Sequence, residues 1–345
     1  FYITKHPGTG GLVSTGTVTA QLLYEISAPA YLNPDVIAHF DTLNIEEVSK
    51  DRVYVSGCRG SSPTNTHKVC INLAGGYRNG MEFILTGIDI EEKAQIISDA
   101  LFNSVGGKEQ FDEVSILLDR TDKKDPNSNE EAMASLRISV KSKDPDLVGR
   151  MFTAKMIELA LANYPGFFTG GGVRSGGPVL VYWPALIDSK HIEETVHIDG
   201  KEINVKPTNQ LDLEETYYQK QPIEIPPPPS GQTLNKPLGE LFGARSGDKG
   251  GCANIGVWAK NENAFSFLNN YLTIEKIKEL MPDIREFEID RYELPNILSL
   301  NFYIHDILED GVSSNTRKDG QAKSLGEYLR AKYADIPKSL FEENI

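Results

Sequence analysis

The stretch Gly243–Trp258, "GARSGDKGGCANIGVW", holds five glycines, an arginine, a lysine and an aspartate between two short apolar runs. Each glycine costs conformational entropy on folding, so this density needs a structural or functional reason. Consecutive glycine-rich backbone presents several N–H groups inward as an anion-binding nest. Arg245 and Lys249 add positive charge to it. We therefore predict an anion-binding loop between two strands.

The polar residues of this loop divide into two predicted roles. Asp248 and Lys249 are candidates for proton transfer, because a carboxylate beside cations stays ionised and hydrogen-bonds strongly. The stretch is not a phosphate-binding Walker A loop, since Asp248 stands at the position of its second glycine. A plain turn between strands with solvated charges is the alternative. The predicted anion-binding residues here are Arg245, Ser246, Gly247, Gly250 and Asn254.

The opening "KHPGTGGLVSTGTV", Lys5–Val18, repeats the pattern of glycines beside charge. It leads into a helix, and the N–H groups and dipole at a helix N-terminus favour phosphate or carboxylate. His6 is a candidate proton carrier, since an imidazole titrates near neutral pH. An ordinary loop histidine is the alternative. The predicted anion-binding residues are Gly8, Thr9, Gly10 and Gly11.

Two further loops place an arginine among small residues, "SGCRGSSPT" with Arg59 and "TGGGVRSGGPV" with Arg174. Both arginines are predicted to bind the same anion. Cys58 is interpreted as a buried structural thiol, because no sequence pairing with histidine would activate it. The six histidines show no metal-ligand spacing, so we expect no metal ion and no cofactor, apart from CoA as part of a substrate.

Composition excludes several classes of protein. The 345 residues are 39% hydrophobic and carry a net charge of −14, which disfavours binding to nucleic acid and to anionic membranes. Three cysteines without paired spacing indicate a reducing compartment, and we expect a cytoplasmic protein. The sequence starts at Phe1 without a signal peptide, as a fragment or a processed chain would.

Four consecutive prolines, Pro226–Pro229, mark the clearest boundary, because polyproline is extended and has no packed face of its own. We predict a main domain over residues 1–207, a proline-rich linker over 208–235 and a smaller domain over 236–345.

Hydrophobic periodicity predicts helices over 89–107 and 144–166. Hairpins are predicted at Arg78-Asn79-Gly80 and Asp199-Gly200. In the smaller domain, "PLGELFGA" and "ANIGVWAK" are predicted strands, followed by a helix at "AFSFLNNYLTIEKIKELM", a strand pair and a last helix. Strands interleaved with helices and hairpins indicate an α+β fold with mixed sheets, ending in a small sheet-and-helix sandwich.

The stretches "FGARSGDKGGCANIGVWA", "GTGGLV", "TVTAQLLYEI" and "YLNPDV" resemble the acyclic terpene utilisation protein AtuA family. The resemblance covers essentially the whole chain. It implies the later part of the family's main domain, followed by its ferredoxin-fold module. The family is associated with bacterial degradation of citronellol and geraniol through CoA thioesters. Its members extend further at the N-terminus and have a more polar residue at the position of Cys252.

The resemblance does not assign a chemical step; our leading hypothesis is an enzyme of acyl-CoA or carboxylate metabolism, a metal-independent hydratase or lyase acting on a branched acyl substrate. It would bind that small molecule, with no nucleic acid or membrane partner, as a homo-oligomer or together with the missing N-terminal part. The alternative is a non-catalytic subunit or assembly module whose glycine-rich segments contact a partner.

Overall fold

The computed structural model describes residues 1–172, 175–205 and 222–342. The chain divides into two compact units. The first unit consists of Phe1–Ile71 and Tyr182–Ile345, and the second of Asn72–Val181. Both contain helices and antiparallel sheets, which confirms the predicted α+β fold with mixed sheets. No described helix has the length and apolar character needed to cross a membrane.

The N-terminal part of the first unit holds one helix and two small sheets. The helix begins after Ser14, whose hydroxyl accepts from Thr17 N at 3.2 Å while the Thr17 hydroxyl accepts from Ser14 N at 2.9 Å. This reciprocal capping fixes the start of the helix. The sheets have strand orders β1-β5-β4 and β2-β3-β6, with the elements β1 Tyr2–Thr4, α1 Thr15–Leu22, β2 Ala30–Leu32, β3 Ile37–His39, β4 Asn44–Ser49, β5 Arg52–Ser56 and β6 Arg59–Ser61.

The second unit is a sheet covered by two helices, with a core that includes Phe83, Leu101, Leu136 and Phe152. The helix predicted over 89–107 is present as α2. The sheet order is β10-β7-β9-β8, and β11 also pairs with β7. The elements are α2 Ile90–Ser104, β8 Glu113–Asp119, β9 Met133–Ser142, α3 Phe152–Leu161 and β10 Phe168–Thr169, together with β7 Thr66–Thr86, which begins in the first unit, and β11 Gly177–Asp188, which ends in it.

Two predictions for the second unit are wrong. Arg78-Asn79-Gly80 is not a turn, because β9 pairs continuously along Tyr77–Thr86. The buried Asn79 amide donates to Val148 O at 2.8 Å, so this polar residue is held inside the fold. The helix predicted over 144–166 is shorter: Gly149 leaves helical geometry within a π-helical turn, and α3 covers only Phe152–Leu161.

The remainder of the first unit contains the hairpin β12–β13, the pair β14–β19 and a four-stranded antiparallel sheet of order β15-β16-β18-β17. The predicted turn at Asp199-Gly200 is confirmed, with φ of +50° and +73°. The elements are β12 Glu194–Ile198, β13 Lys201–Val205, β14 Thr233–Pro237, β15 Gly243–Lys249, β16 Cys252–Trp258, α4 Glu262–Tyr271, α5 Ile274–Leu280, β17 Ile289–Leu294, β18 Ser299–Ile304, α6 Leu325–Arg330, β19 Tyr333–Pro337 and α7 Ser339–Glu342.

Several predicted boundaries in this part differ from the structure. The strand predicted at "PLGELFGA" spans the end of β14, the 3-10 turn Leu238–Glu240 and the first two residues of β15. The single helix predicted at "AFSFLNNYLTIEKIKELM" is two helices, because Thr273 caps the second one. The linker predicted over 208–235 stays a prediction, since residues 206–221 lie outside the described part of the chain.

The prediction of a loop at the glycine-rich stretch is wrong. Residues Gly243–Lys249 pair one by one with β16, and the chain turns only at Gly250 and Gly251. Along an extended strand, successive N–H groups point to opposite sides and cannot converge on one ligand. The backbone nest predicted here is therefore absent from this stretch.

The glycines of β15 and β16 make room for the chain that follows α1. A Cβ at Gly256 would lie 2.4 Å from Leu23 Cβ, and one at Gly247 would lie 2.7 Å from Glu25 Cγ. Both distances are shorter than van der Waals contact. Gly247 and Gly256 are thus explained by close packing of the segment Leu23–Glu25 on one face of the sheet.

Candidate functional site

Charged side chains gather where the end of α1 meets β15, and we call Tyr24, Glu25, Arg245, Asp248 and Lys323 the Tyr24 cluster. The Arg245 guanidinium lies 4.0 Å from the centroid of the Tyr24 ring, and Lys323 Nζ lies 4.5 Å from it. Lys323 also donates to the Tyr24 hydroxyl and to Glu25. Its Nζ lies 3.2 Å from Asp248 Oδ1.

The positive and negative charges of the Tyr24 cluster balance one another. Desolvation alone would lower the pKa of Lys323, but its hydrogen bonds to Glu25, Tyr24 and Asp248 outweigh this and raise that pKa. Desolvation would likewise raise the pKa of Glu25, yet the bonds from Lys323 and Tyr24 lower it. Both groups therefore stay ionised and hold each other. Asp248 faces a cation of the protein itself.

Lys249, the last residue of β15, has a different environment. Its Nζ lies 5.8 Å from the centroid of the Tyr31 ring, and it forms no ion pair with any carboxylate of the described residues. Burial lowers the pKa of Lys249, and the positive charge of Lys68 lowers it further. The carboxylate of Glu25 acts in the opposite direction and raises this pKa, but it forms no ion pair with Lys249. A partly buried ammonium group without an ion-pair partner is electrostatically unsatisfied.

Lys68 completes this second group. Its Nζ lies 5.7 Å from the centroid of the Tyr182 ring, and Tyr182 also packs against the turn, since a Cβ at Gly250 would lie 2.9 Å from Tyr182 Cε1. We call Tyr31, Lys68, Tyr182 and Lys249 the Lys249 site. Two ammonium groups beside two phenol rings are suited to one carboxylate or phosphate.

Two predicted anion-binding residues of the same strands have structural contacts instead. Asn254 is fully buried; its amide donates to Leu23 O at 2.7 Å and to Asn301 Oδ1 at 2.8 Å, and its oxygen accepts from Glu25 N at 3.0 Å. The buried Ser246 hydroxyl accepts from Gly326 N at 2.9 Å. Neither side chain is free to bind a ligand. Their predicted assignment to an anion-binding site is therefore corrected: both side chains have a structural role.

The opening loop is exposed and closes on itself. Lys5 Nζ donates to Thr9 O at 2.7 Å and lies 3.6 Å from Asp51, while Thr9 donates to His6 O. Asp51 accepts from Val13 N, and this bond is the main reason why the pKa of Asp51 is lowered.

Nothing brings this loop to the glycine-rich strand. His6, Gly8, Gly10 and Gly11 are exposed. Among the residues described, no hydrogen bond or ion pair joins residues 5–11 to β15. The predicted association of His6 with Asp248 and Lys249 therefore has no contact to support it.

Among the described residues, Arg59 has no hydrogen bond or ion pair with β15. Arg59 is exposed on β6, where its N–H donates to the Thr42 hydroxyl at 2.8 Å. Arg174 lies outside the described residues. Cys58 is exposed, so its interpretation as a buried structural thiol is wrong. Desolvation nevertheless raises the pKa of Cys58, as expected for a thiol that is not activated.

Sequence reasoning missed most partners of β15. Lys323 lies 75 residues beyond Asp248, and Tyr24 and Glu25 lie more than 200 residues before it. No local motif links these positions. The glycines of β15 were a signal, because a glycine-rich strand lets another segment pack closely against it. Only the fold shows that this segment is the end of α1.

The comparisons with known proteins agree with the predicted resemblance. Residues 1–198 match the family model described as acyclic terpene utilisation family protein AtuA, and residues 236–334 match the AtuA ferredoxin-like domain. The second match covers the four-stranded sheet with α4, α5 and α6, which is thus ferredoxin-like. No curated protein and no solved structure gives a significant match.

Proposed function

Since the chain belongs to the acyclic terpene utilisation family AtuA, we propose that it is an enzyme of acyl-CoA or carboxylate metabolism that binds the anionic part of its substrate at the Lys249 site. The observation that carries this proposal is the environment of Lys249: half-buried, beside Lys68, and in no ion pair with a described carboxylate. A ligand carboxylate or phosphate supplies the missing negative charge.

The same environment suits hydratase- or lyase-like chemistry on a branched acyl group. A lysine whose pKa is lowered by burial and by a neighbouring cation exchanges a proton more readily near neutral pH than an exposed lysine does. As an ammonium group it also stabilises the negative charge that develops on an acyl oxygen when the adjacent carbon loses a proton. Of the three predicted proton-transfer residues, Asp248, Lys249 and His6, we therefore propose Lys249 as the proton carrier, because Asp248 already pairs with Lys323.

Binding of defined anions tests the proposal. Wild-type protein is titrated calorimetrically with CoA, a branched-chain acyl-CoA and a short branched carboxylate. Lys249→Met and Lys68→Met are expected to weaken binding about tenfold or more each, since each removes one charged hydrogen-bond donor worth roughly 1.5–3 kcal/mol. Hydration of the matching unsaturated acyl-CoA is expected to fall at least as much in Lys249→Met.

Lys260→Met is the matched control, because Lys260 is an exposed lysine of the same unit. It removes the same net charge and is expected to leave binding unchanged. Equal loss of affinity in all three variants would show only a general effect of net charge. Absence of binding to any of the three ligands by the wild-type protein would reject the proposal.

The second candidate function is a non-catalytic assembly module, and the hairpin β12–β13 favours it. All ten strand residues are exposed. Val196 and Ile203 are paired across the strands and share a face with Ile198 and Val205. An isolated two-stranded hairpin is marginally stable in water. If association is its role, Val196→Lys with Ile203→Lys reduces the molar mass measured by light scattering, whereas Thr195→Lys with Asn204→Lys on the opposite face does not.

A further inference from the structure

Three potential metal ligands meet at the end of the ferredoxin-like sheet. Ile289 and Ile304 are paired on β17 and β18, so Glu288 and His305 lie just beyond the same end of the strand pair. His305 N donates to Glu288 O at 3.0 Å. Asp290 belongs to β17, and its Oδ2 lies 2.9 Å from His305 Nε2. The ligand atoms of all three residues lie within 4.8 Å of one another.

We propose that Glu288, Asp290 and His305 bind one divalent first-row transition-metal ion. An imidazole with two carboxylates is a donor set that suits zinc, manganese, iron and cobalt. Metal–ligand bonds of about 2.1 Å place neighbouring ligand atoms about 3.0–3.4 Å apart. Asp290 Oδ2 and His305 Nε2, 2.9 Å apart, lie just below this spacing, and the exposed Glu288 side chain would close the remaining gap by rotation.

The charge of the group favours a bound cation over a simple ion pair. Two carboxylates face one imidazole, and no lysine or arginine of the described residues forms an ion pair with Glu288 or Asp290. An imidazole carries at most one positive charge, so it cannot neutralise both carboxylates. A divalent ion would do so.

Neighbouring side chains orient two of the ligands. The Tyr303 ring meets the His305 ring edge-on, with centroids 5.0 Å apart and an interplanar angle of 89°. The Tyr292 hydroxyl donates to Asp290 Oδ2 at 3.3 Å. In metal sites, contacts of this kind fix the orientation of the side chains that bind the ion. Three protein ligands at an exposed sheet end also leave coordination positions for water or a small ligand.

The sequence gives no sign of this group. The spacing of two residues between the carboxylates and of 15 residues from Asp290 to His305 matches no metal-binding motif. Only the register of β17 against β18 brings the histidine to the carboxylates. The prediction that no metal ion is bound was based only on the spacing of the histidines along the chain.

Metal titration of untagged, chelator-treated protein tests the proposal. Zn²⁺ is titrated by calorimetry and Co²⁺ by its visible absorption, which reports both stoichiometry and nitrogen–oxygen coordination. We expect saturation near one ion per chain. His305→Gln and Asp290→Asn are each expected to weaken binding at least tenfold, with unchanged circular dichroism of the metal-free proteins.

His197→Gln is the matched control, because His197 Nδ1 lies 4.0 Å from Glu202 Oε2 on the hairpin β12–β13 and belongs to no three-ligand group of the described residues. It is expected to bind as wild type. Failure of the wild-type protein to bind Zn²⁺ and Co²⁺ would overturn the proposal. Wild-type affinity in His305→Gln, or an equal loss in His197→Gln, would overturn it as well.

Discussion

Gly256 is a position at which the packing of Leu23 leaves no room for a larger residue. It lies on β16 directly beneath Leu23, a side chain with no solvent exposure. A methyl group there would lie 2.4 Å from Leu23 Cβ and 3.0 Å from Leu23 Cδ1. A buried leucine at a helix end has no space into which to move. A side chain at position 256 is therefore expected to destabilise the fold by a steric clash with Leu23.

Gly256→Ala is therefore expected to lower the free energy of unfolding by about 1–3 kcal/mol, the usual cost of overpacking a core. Chemical denaturation measures it. Gly10→Ala is the control, since no atom lies within 4 Å of its Cβ position and its effect should stay within about 0.5 kcal/mol. Equal stability of the two variants would contradict the packing explanation of the glycines.

If Lys249 binds an anion as proposed, it is the residue at which pH and ligand binding are linked. Burial and Lys68 lower its pKa below 10.5, so the folded state disfavours its ammonium form. This lowers the free energy of unfolding by its full amount at any pH below the lowered pKa. The loss shrinks as pH rises from the lowered pKa to the ordinary pKa of lysine, and it is absent above that value. A bound anion pairs with the ammonium group and raises its pKa again.

We expect the affinity for CoA to fall as pH rises through the lowered pKa of Lys249, with proton uptake on binding in that range. Lys68→Met removes the repulsion and moves the midpoint of this fall to higher pH, in addition to weakening binding. Calorimetry in buffers of different ionisation enthalpy measures both quantities. An affinity that is constant from neutral pH to about pH 10 would contradict the role of the ammonium group.

At the scale of elements, the contact between α1 and the four-stranded sheet depends on amides. The Asn254 side chain bonds Leu23 O and Glu25 N, and Asn301 Nδ2 donates to Ser27 O at 2.8 Å. These bonds satisfy backbone groups just after the last turn of α1, where intrahelical partners are missing. The two asparagines thus join the helix end to β16 and β18.

Asn254→Ala leaves the N–H of Glu25 and the carbonyl of Leu23 without these partners in a buried place. The expected loss is about 2–4 kcal/mol in the free energy of unfolding, because unsatisfied buried groups cost more than a bond contributes. Denaturant unfolding measures it, with Asn235→Ala as control, since Asn235 is exposed and bonds only to Asp335 on β19. A small effect of Asn254→Ala would show that water replaces the amide.

Elements differed in how well the sequence predicted them. α2 and the hairpin β12–β13 follow local signals, an apolar face at helical spacing and an Asp-Gly turn, and both were predicted correctly. β15 was predicted as a loop because glycine and charge are typical of loops; its extended conformation depends on β16 and its glycines on α1. The Lys249 site was predicted only as far as Lys249, because Tyr31, Lys68 and Tyr182 reach it through tertiary contacts.

On the scale of the molecule, the first unit combines distant parts of the chain in one core. Val18, Leu23, Val53 and other N-terminal side chains are buried together with Leu294 and Ile297. The segment 18–55 therefore packs on the ferredoxin-like sheet from one side, while α4, α5 and α6 cover its other side. The second unit has a core of its own, built from residues 81–156.

This arrangement predicts that the ferredoxin-like part depends on the N-terminal segment. A fragment of residues 222–342 exposes Leu294 and Ile297, at about 1.5–3 kcal/mol each, and leaves Asn254 and Asn301 without their backbone partners. We expect it to bind a hydrophobic dye and to unfold at lower denaturant concentration than the same residues in the full chain. A fragment of residues 72–181 is the control, because its core is complete within it. It should unfold cooperatively without binding the dye. Full-chain stability of the 222–342 fragment would show instead that the N-terminal segment only covers a sheet that is already stable, because the α4–α6 core alone would then suffice to hold it.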